Sequence, residues 1–152
     1  MKVEPFDLVV IGAGPAGEKA ATQAAWFGKT VAVVERRPDP GGIAVSDAGI
    51  PTKTLRETAA YLTGFRHREI YGVSLSLDPD LKIERLKRRT AEVKGIMTEA
   101  VRANLSRMGV TLIHGSARLA GAKTVRGGER LLSAAVILLA PGSRPARPGA
   151  IP

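Results

Sequence analysis

The sequence predicts an α/β domain with three layers: helices, a mostly parallel sheet and a small antiparallel meander. Three observations lead there. Two short Val- and Ile-rich runs, "FDLVVI" (6–11) and "TVAVVE" (30–35), flank an Ala-rich stretch; the glycine turn "GAGPAG" joins the first run to that stretch; and a further apolar run, "AAVILLA" (134–140), follows several short strand-like pieces. Runs that are apolar throughout suit strands covered on both faces, which is the condition of a parallel sheet.

Each element has its own signal. "PAGEKAATQAAWF" (15–27) reads as a helix with Pro15 in its first turn and Gly28 as its stop. With the strands on either side it forms a βαβ unit. Residues 36–54 read as a Gly- and Pro-bearing loop, and "KTLRETAAYLTGF" (53–65) as the next helix. Asp78 and Pro79 can cap and start a long helix reaching Met108, with Leu86, Val93, Met97, Ala100, Val101, Leu105 and Met108 as its apolar stripe. "VTLIHG" is a further strand, and two or three short strands with Gly turns precede the run at 134–140. Residues 1–140 are read as one domain, and "PGSRPARPGAIP" (141–152), with four prolines, as a linker.

Composition sets the class. The 152 residues are 44% hydrophobic and 24% charged, ordinary for a globular protein. No apolar run approaches the ~20 residues of a membrane span. "MKVEPFDLVV" lacks a signal-peptide pattern, because an acid and a proline come before the apolar run, so a cytoplasmic protein is expected. Zero cysteines exclude disulfides, thiol redox chemistry and zinc–thiolate sites. The net charge of +9 is unevenly placed: beyond residue 100 eight Arg or Lys face one acid, Glu129, and "KIERLKRR" (82–89) carries five bases against one acid. A phosphate-bearing ligand or an acidic partner would suit that balance. Nucleic acid is not expected, since no aromatic side chains interleave with the 82–89 run to stack bases.

The glycine turn carries the chemistry. Gly12 permits the tight turn, Gly14 lets backbone approach a pyrophosphate, and Gly17 lets helix and strand pack closely. Pro15 and Ala16 open the helix, whose N-terminus offers unpaired N–H groups and a positive dipole end to phosphates. Glu35 ends the second strand eighteen residues past Gly17, where a carboxylate can accept hydrogen bonds from ribose hydroxyls. That acid opposes a 2′-phosphate at the same ribose, although the adjacent Arg36 and Arg37 soften the opposition. The motif by itself does not separate FAD from NAD.

Four segments in order, "VVIGAGPAGEKAA", "VVERRPDPGG", "GIPTKTLRE" and "ILLAPGSRP", resemble the FAD-binding half of the flavoprotein disulfide reductase family. Within it, "GPAGEKAA" and "IPTKTLRE" are similar to the transhydrogenase branch, which passes hydride between nicotinamide cofactors through flavin. The resemblance implies a Rossmann-like fold and FAD as cofactor. It sets Gly41 and Gly42 against the pyrophosphate, Thr52 in place of the family serine, and Lys53 near the flavin ring. It also implies adenine contact by backbone around Ala117, and cofactor contact at Ala140 and Gly142, with Pro141 standing where the family has threonine. The family's two cysteine positions fall on Ala44 and Gly49, so disulfide and dithiol substrates are excluded.

The resemblance also implies what the chain does not contain. There is one GxGxxG and no second βαβ unit bearing it. In the family an NAD(P) domain follows, then a return segment completing the FAD domain, then a dimerisation domain. The fold is therefore expected to be incomplete at the C-terminus, with NAD(P)H bound only once a missing domain or a second polypeptide is present; a homodimer is compatible with this. Two readings follow: the FAD-binding part of a soluble NAD(P) transhydrogenase-like oxidoreductase, not active alone, or a non-catalytic FAD- or dinucleotide-binding module that docks on an acidic protein partner. His67 and His114 are read as surface or structural, Asp78 and Asp80 as capping groups and not metal ligands, and Trp26 as packed on the sheet. No residue is assigned as catalytic.

Overall fold

The computed structural model describes residues 2–64, 72, 83–143 and 149. In chain order the elements are β1 (Val3–Ile11), α1 (Pro15–Trp26), β2 (Val31–Glu35), α2 (Gly42–Ser46), α3 (Gly49–Gly64), α4 (Ile83–Arg107), β3 (Thr111–His114), β4 (Ala117–Gly121), β5 (Thr124–Gly127) and β6 (Arg130–Leu139). They build one six-stranded sheet in the order β3-β2-β1-β6-β5-β4. β3, β2, β1 and β6 run parallel, while β4, β5 and the start of β6 form the antiparallel meander.

The strand alternation assigns the layers. Leu8 pairs with Val31 and Val10 with Val33; the intervening pairs are Val9 with Ala32 and Ile11 with Val34. Val10, Val31 and Val33 pack with Ala21 of α1 and Val101 and Leu105 of α4. Val9, Ala32 and Val34 pack instead with Val125, Leu132 and Ala134 of the meander. All five residues of β2 are therefore buried. A Cβ on Gly127 would lie 2.9 Å from Val34 Cγ2, which shows how closely the meander covers the sheet. Helices, parallel sheet and meander are thus the three layers that the sequence predicts.

Several boundaries differ from the sequence reading. β1 starts at Val3, not Phe6, because it pairs with β6 along its whole length but with β2 only from Leu8 onward. Pro5 lies in the part where one edge carries no ladder, so its missing N–H is tolerated there. Arg130 Nε also donates to Glu4 Oε1 at 2.8 Å, fastening the two strand starts together. β6 correspondingly begins at Arg130, not Ala134. The segment read as a loop at 36–54 contains α2 and the first turn of α3, which starts four residues before Lys53. Pro51 falls in that first turn, where a helix tolerates proline.

Two side-chain expectations also change. Trp26 is 73% exposed and not packed on the sheet. The buried residues of α1 are Gly17 and Ala21, and Trp26 lies about 140° round the helix from Ala21 at ~3.6 residues per turn. On α4 the stripe is buried at Val101 and Leu105, with Met97 and Met108 half-buried and Ala100 exposed. The expected start of that helix at Asp78 and Pro79 lies outside the described residues, as do His67, Asp80 and most of the proline-rich tail.

Candidate dinucleotide-binding site

β1, β2, β3 and β6 all end at one edge of the sheet, and the turns that follow them meet there. Gly12 opens the first turn at φ +105°. Its N–H donates to the Val34 carbonyl at 2.9 Å, and the Ala140 N–H donates to the Ile11 carbonyl at 2.9 Å. Gly12 is thus pressed between β2 and the end of β6: a Cβ there would sit 2.3 Å from the Ala140 oxygen. Gly17 is equally constrained, with its Cβ position 1.9 Å from the Gly12 oxygen, so α1 approaches the turn as closely as backbone allows.

Gly14 is different in kind. Its φ of −71° suits any residue, and the nearest atom to a Cβ would be the Gly42 Cα at 3.9 Å, an ordinary contact. Nothing within the chain demands a glycine at 14. Gly14 is also the N-cap of α1 and supplies no side-chain cap; the first intrahelical bond is from the Glu18 N–H to the Gly14 carbonyl. The N–H groups of Ala16 and Gly17, in the first turn, consequently have no helical partner.

Glu35 closes the site from β2. It is only 8% exposed, and both of its carboxylate oxygens are held by backbone. The Ala13 N–H donates to Oε2 at 2.7 Å and the Arg37 N–H to Oε1 at 2.9 Å. Each oxygen keeps a lone pair for a further donor. The acid is locked against the glycine turn in a fixed orientation.

A second glycine pair backs the first. The Gly41 N–H donates to the Ala13 carbonyl at 2.8 Å, and a Cβ on Gly42 would lie 2.9 Å from the Gly14 Cα. Arg37 anchors the segment that follows, donating to the Ser46 hydroxyl and pairing with Asp47 at 2.6 Å. That hydrogen bond, with a second from Ser46, holds the Asp47 carboxyl below the usual aspartate range. Arg37 is thereby committed, whereas exposed Arg36 has no ion-pair partner among the described residues.

These turns enclose a cavity of about 430 Å³. Of the residues that the sequence assigns to the cofactor, Gly12, Gly14, Pro15, Glu35, Arg36, Gly42, Ala117, Ala140 and Gly142 line it. Gly17 and Gly41 support its wall from behind, and Ala16 follows Pro15 in α1. Thr52 and Lys53 stand apart on α3; Lys53 lines a separate groove of about 650 Å³ between α3 and α4. Sequence reasoning named Ala44 only as a cysteine position and did not assign Ile43, Gly115, Ser116 or Ser143 to the site. Gly115 had a findable signal: it directly follows a strand, as Gly12 does, and its N–H donates to the Glu35 carbonyl at 2.8 Å. The positions that the resemblance assigns to cysteines adjoin each other, since a Cβ on Gly49 would lie 2.8 Å from the Ala44 oxygen. His114 ends β3 exposed, and no group of three His, Asp or Glu among the described residues could hold a metal ion. No helix among them is long and apolar enough to cross a membrane.

A glycine turn, a helix N-terminus and a fixed acid converging at the carboxyl ends of parallel strands is the arrangement in which dinucleotides bind. A profile of the family described as pyridine nucleotide-disulphide oxidoreductase matches residues 6–152, nearly the whole chain. The chain belongs to the pyridine nucleotide-disulphide oxidoreductase family. Among its relatives, a soluble pyridine nucleotide transhydrogenase from Mycobacterium tuberculosis is 41% identical over 96% of this chain and 32% of its own length. A dihydrolipoyl dehydrogenase from Zymomonas mobilis is 35% identical over 91% of this chain and 30% of its own. This family member thus spans about a third of the length of the curated relatives it matches. The HOCl-induced flavoprotein disulfide reductase RclA from Escherichia coli has the same fold, with a TM-score of 0.77 over 95% of this chain and 30% of that one, at 24% identity.

Proposed function

We propose that this chain is the FAD-binding portion of a flavin-dependent oxidoreductase that moves hydride between nicotinamide cofactors, in the manner of the soluble transhydrogenases. Gly14 carries the reading. The protein's own packing leaves room for a side chain there, at the mouth of the cavity and the head of α1, so the glycine serves a group outside the chain. An anionic pyrophosphate suits the place: the first-turn N–H groups of α1 have no helical partner, and the dipole of α1 favours negative charge.

The residues fit the adenosine half of FAD. Glu35 has spare acceptor capacity on both oxygens for ribose hydroxyls, and Arg36 brings an uncommitted cation to the same rim. The second glycine pair, the backbone around Ala117, and Ala140 and Gly142 complete the wall. Bound flavin would supply the two-electron hydride chemistry, and the protein's part is to hold and orient it. Lys53 enters this reading only through the family resemblance, since it lies outside the cavity.

The nicotinamide site belongs to further domains or to a second chain. The edge of β6 favours incompleteness: beyond Ala134 no strand among the described residues pairs on the side away from β1, and Val136 and Leu139 are 59% and 60% exposed. An open apolar edge of that length invites another strand. A cytoplasmic setting is part of the same proposal.

The test is a titration of the purified chain with FAD, followed by quenching of flavin fluorescence. One FAD per chain, displaced by ADP, is expected, and NADH should leave the bound flavin oxidised. Absence of FAD and ADP binding would defeat the cofactor reading. Bleaching by NADH would defeat the claim that the donor site lies elsewhere.

A further inference from the structure

We infer that Arg37, Ser46 and Asp47 form a latch that positions Gly41 and Gly42 against a bound diphosphate, with Arg37 a positioning residue and not a phosphate ligand. This deepens the proposed function and rests on its reading of the cavity as a diphosphate site. Two parts of the cavity wall come from different elements: Glu35 ends β2, whereas Gly41 caps α2 and Gly42 opens it. Arg37 joins them. Its N–H donates to Glu35 Oε1 at 2.9 Å, while its Nη1 donates to the Ser46 hydroxyl and to Asp47 Oδ2. Ser46 Oγ lies 2.9 Å from the Gly42 carbonyl oxygen and 2.7 Å from Asp47 Oδ2. One residue thus ties the ribose acid to the segment that bears the glycine pair.

α2 needs such a tie. Its five residues are too few to hold a helix by themselves, its buried side chain is Val45, and its N-cap supplies no side-chain bond. At its start the segment is fixed by the Gly41 N–H, which donates to the Ala13 carbonyl, and by the close approach of Gly42 to Gly14. At its end the Arg37 bonds do the fixing, and a chain without cysteine has no covalent bridge to replace them. Arg37 also lines the cavity, so a direct bond to phosphate is the competing role. The geometry opposes it: Nη1 is spent on Ser46 and Asp47, and the paired carboxylate offsets the charge. Both side chains are partly exposed, so the pair adds little to global stability and its effect falls on the place of Gly42.

Calorimetric titration of FAD, ADP and AMP into the full chain, Arg37→Met, Asp47→Asn and the double variant tests this. FAD and ADP affinity should fall about fivefold or more in each variant, and AMP affinity less than about twofold, because AMP lacks the second phosphate. A merely structural loss would weaken all three ligands alike. The double variant should bind no worse than Arg37→Met, since the two side chains act as one unit. Arg37→Lys, which keeps the cation, should recover part of the loss. Hydrogen exchange gives a readout that needs no ligand. The Gly41 N–H should exchange about tenfold faster in both single variants, while the Gly12 N–H, bonded to the Val34 carbonyl, keeps the parent rate. Unchanged ADP affinity in both single variants, or equal loss of AMP and ADP, overturns the proposal. So does Asp47→Asn binding ADP more tightly than the parent, because the freed Arg37 is then the ligand. If the parent binds neither FAD nor ADP, the cofactor reading fails and exchange decides the latch: an unchanged Gly41 rate overturns it, and a faster one upholds it.

Discussion

The glycine-turn half of this domain and its α3–α4 half are built on opposite terms. Around the turn the chain completes itself: Gly12 and Gly17 leave no space for a Cβ, β2 is buried throughout, and both oxygens of Glu35 are satisfied by backbone N–H groups. Along α3 and the first half of α4, apolar side chains face outward and the ion pairs are exposed, such as Arg56 with Glu57 and Arg89 with Glu92. Threonine hydroxyls there donate back to carbonyls of their own helices, Thr54 to Ile50, Thr58 to Thr54, and Thr90 to Leu86. The lesson is that close packing and satisfied hydrogen bonds are concentrated at the proposed cofactor site, and the other half presents surface.

Substitutions can break or sharpen that contrast. Gly17→Ala should have the largest effect, about 3 kcal/mol or more in thermal unfolding, because a methyl group meets rigid backbone. Leu132→Ala, in the fully buried meander-side core, should cost about 3 kcal/mol by the same measurement. Glu35→Gln should cost about 1–3 kcal/mol, since one amide now faces a backbone N–H donor, and it should weaken FAD binding as well. Ile96→Ser, on the outward half of α4, should stay within about 0.5 kcal/mol. If Ile96→Ser destabilised the chain as much as Leu132→Ala, the contrast between the halves would be wrong.

The smallest effect is electrostatic. The Arg37 hydrogen bond places the Asp47 pKa in the folded state below its ordinary value of 3.8. Asp47 therefore contributes stability above that value, and the contribution is lost as pH falls through the depressed folded pKa. Asp47→Asn should melt slightly below the parent at neutral pH and converge with it in acid. A gap that persists or widens in acid would mean that the carboxylate is not the source.

The βαβ unit was readable in the sequence because short-range rules decide it. Val and Ile runs, Pro15, Gly28 and the spacing from Gly17 to Glu35 each act locally and agree with one another. The α2–α3 region was less readable: Gly49 and Pro51 look like breakers, and only their places in and near a first turn make them compatible with helix. Early pairing of β1 was hidden because its partner, β6, lies more than a hundred residues away. The acid at 35 was found by spacing, but its hold on the Ala13 and Arg37 N–H groups needed the fold. Trp26 misled because size suggested burial while α1's closeness to the sheet admits only small residues inward.

The account rests on Gly14 serving a bound dinucleotide and not the protein. Calorimetric titration of FAD into Gly14→Ala, beside its melting curve, tests this most directly. The added methyl has 3.9 Å to the nearest atom of the chain, so stability should stay within about 0.5 kcal/mol while FAD affinity falls at least about tenfold. A variant that melts like the parent and binds FAD just as tightly would contradict the account.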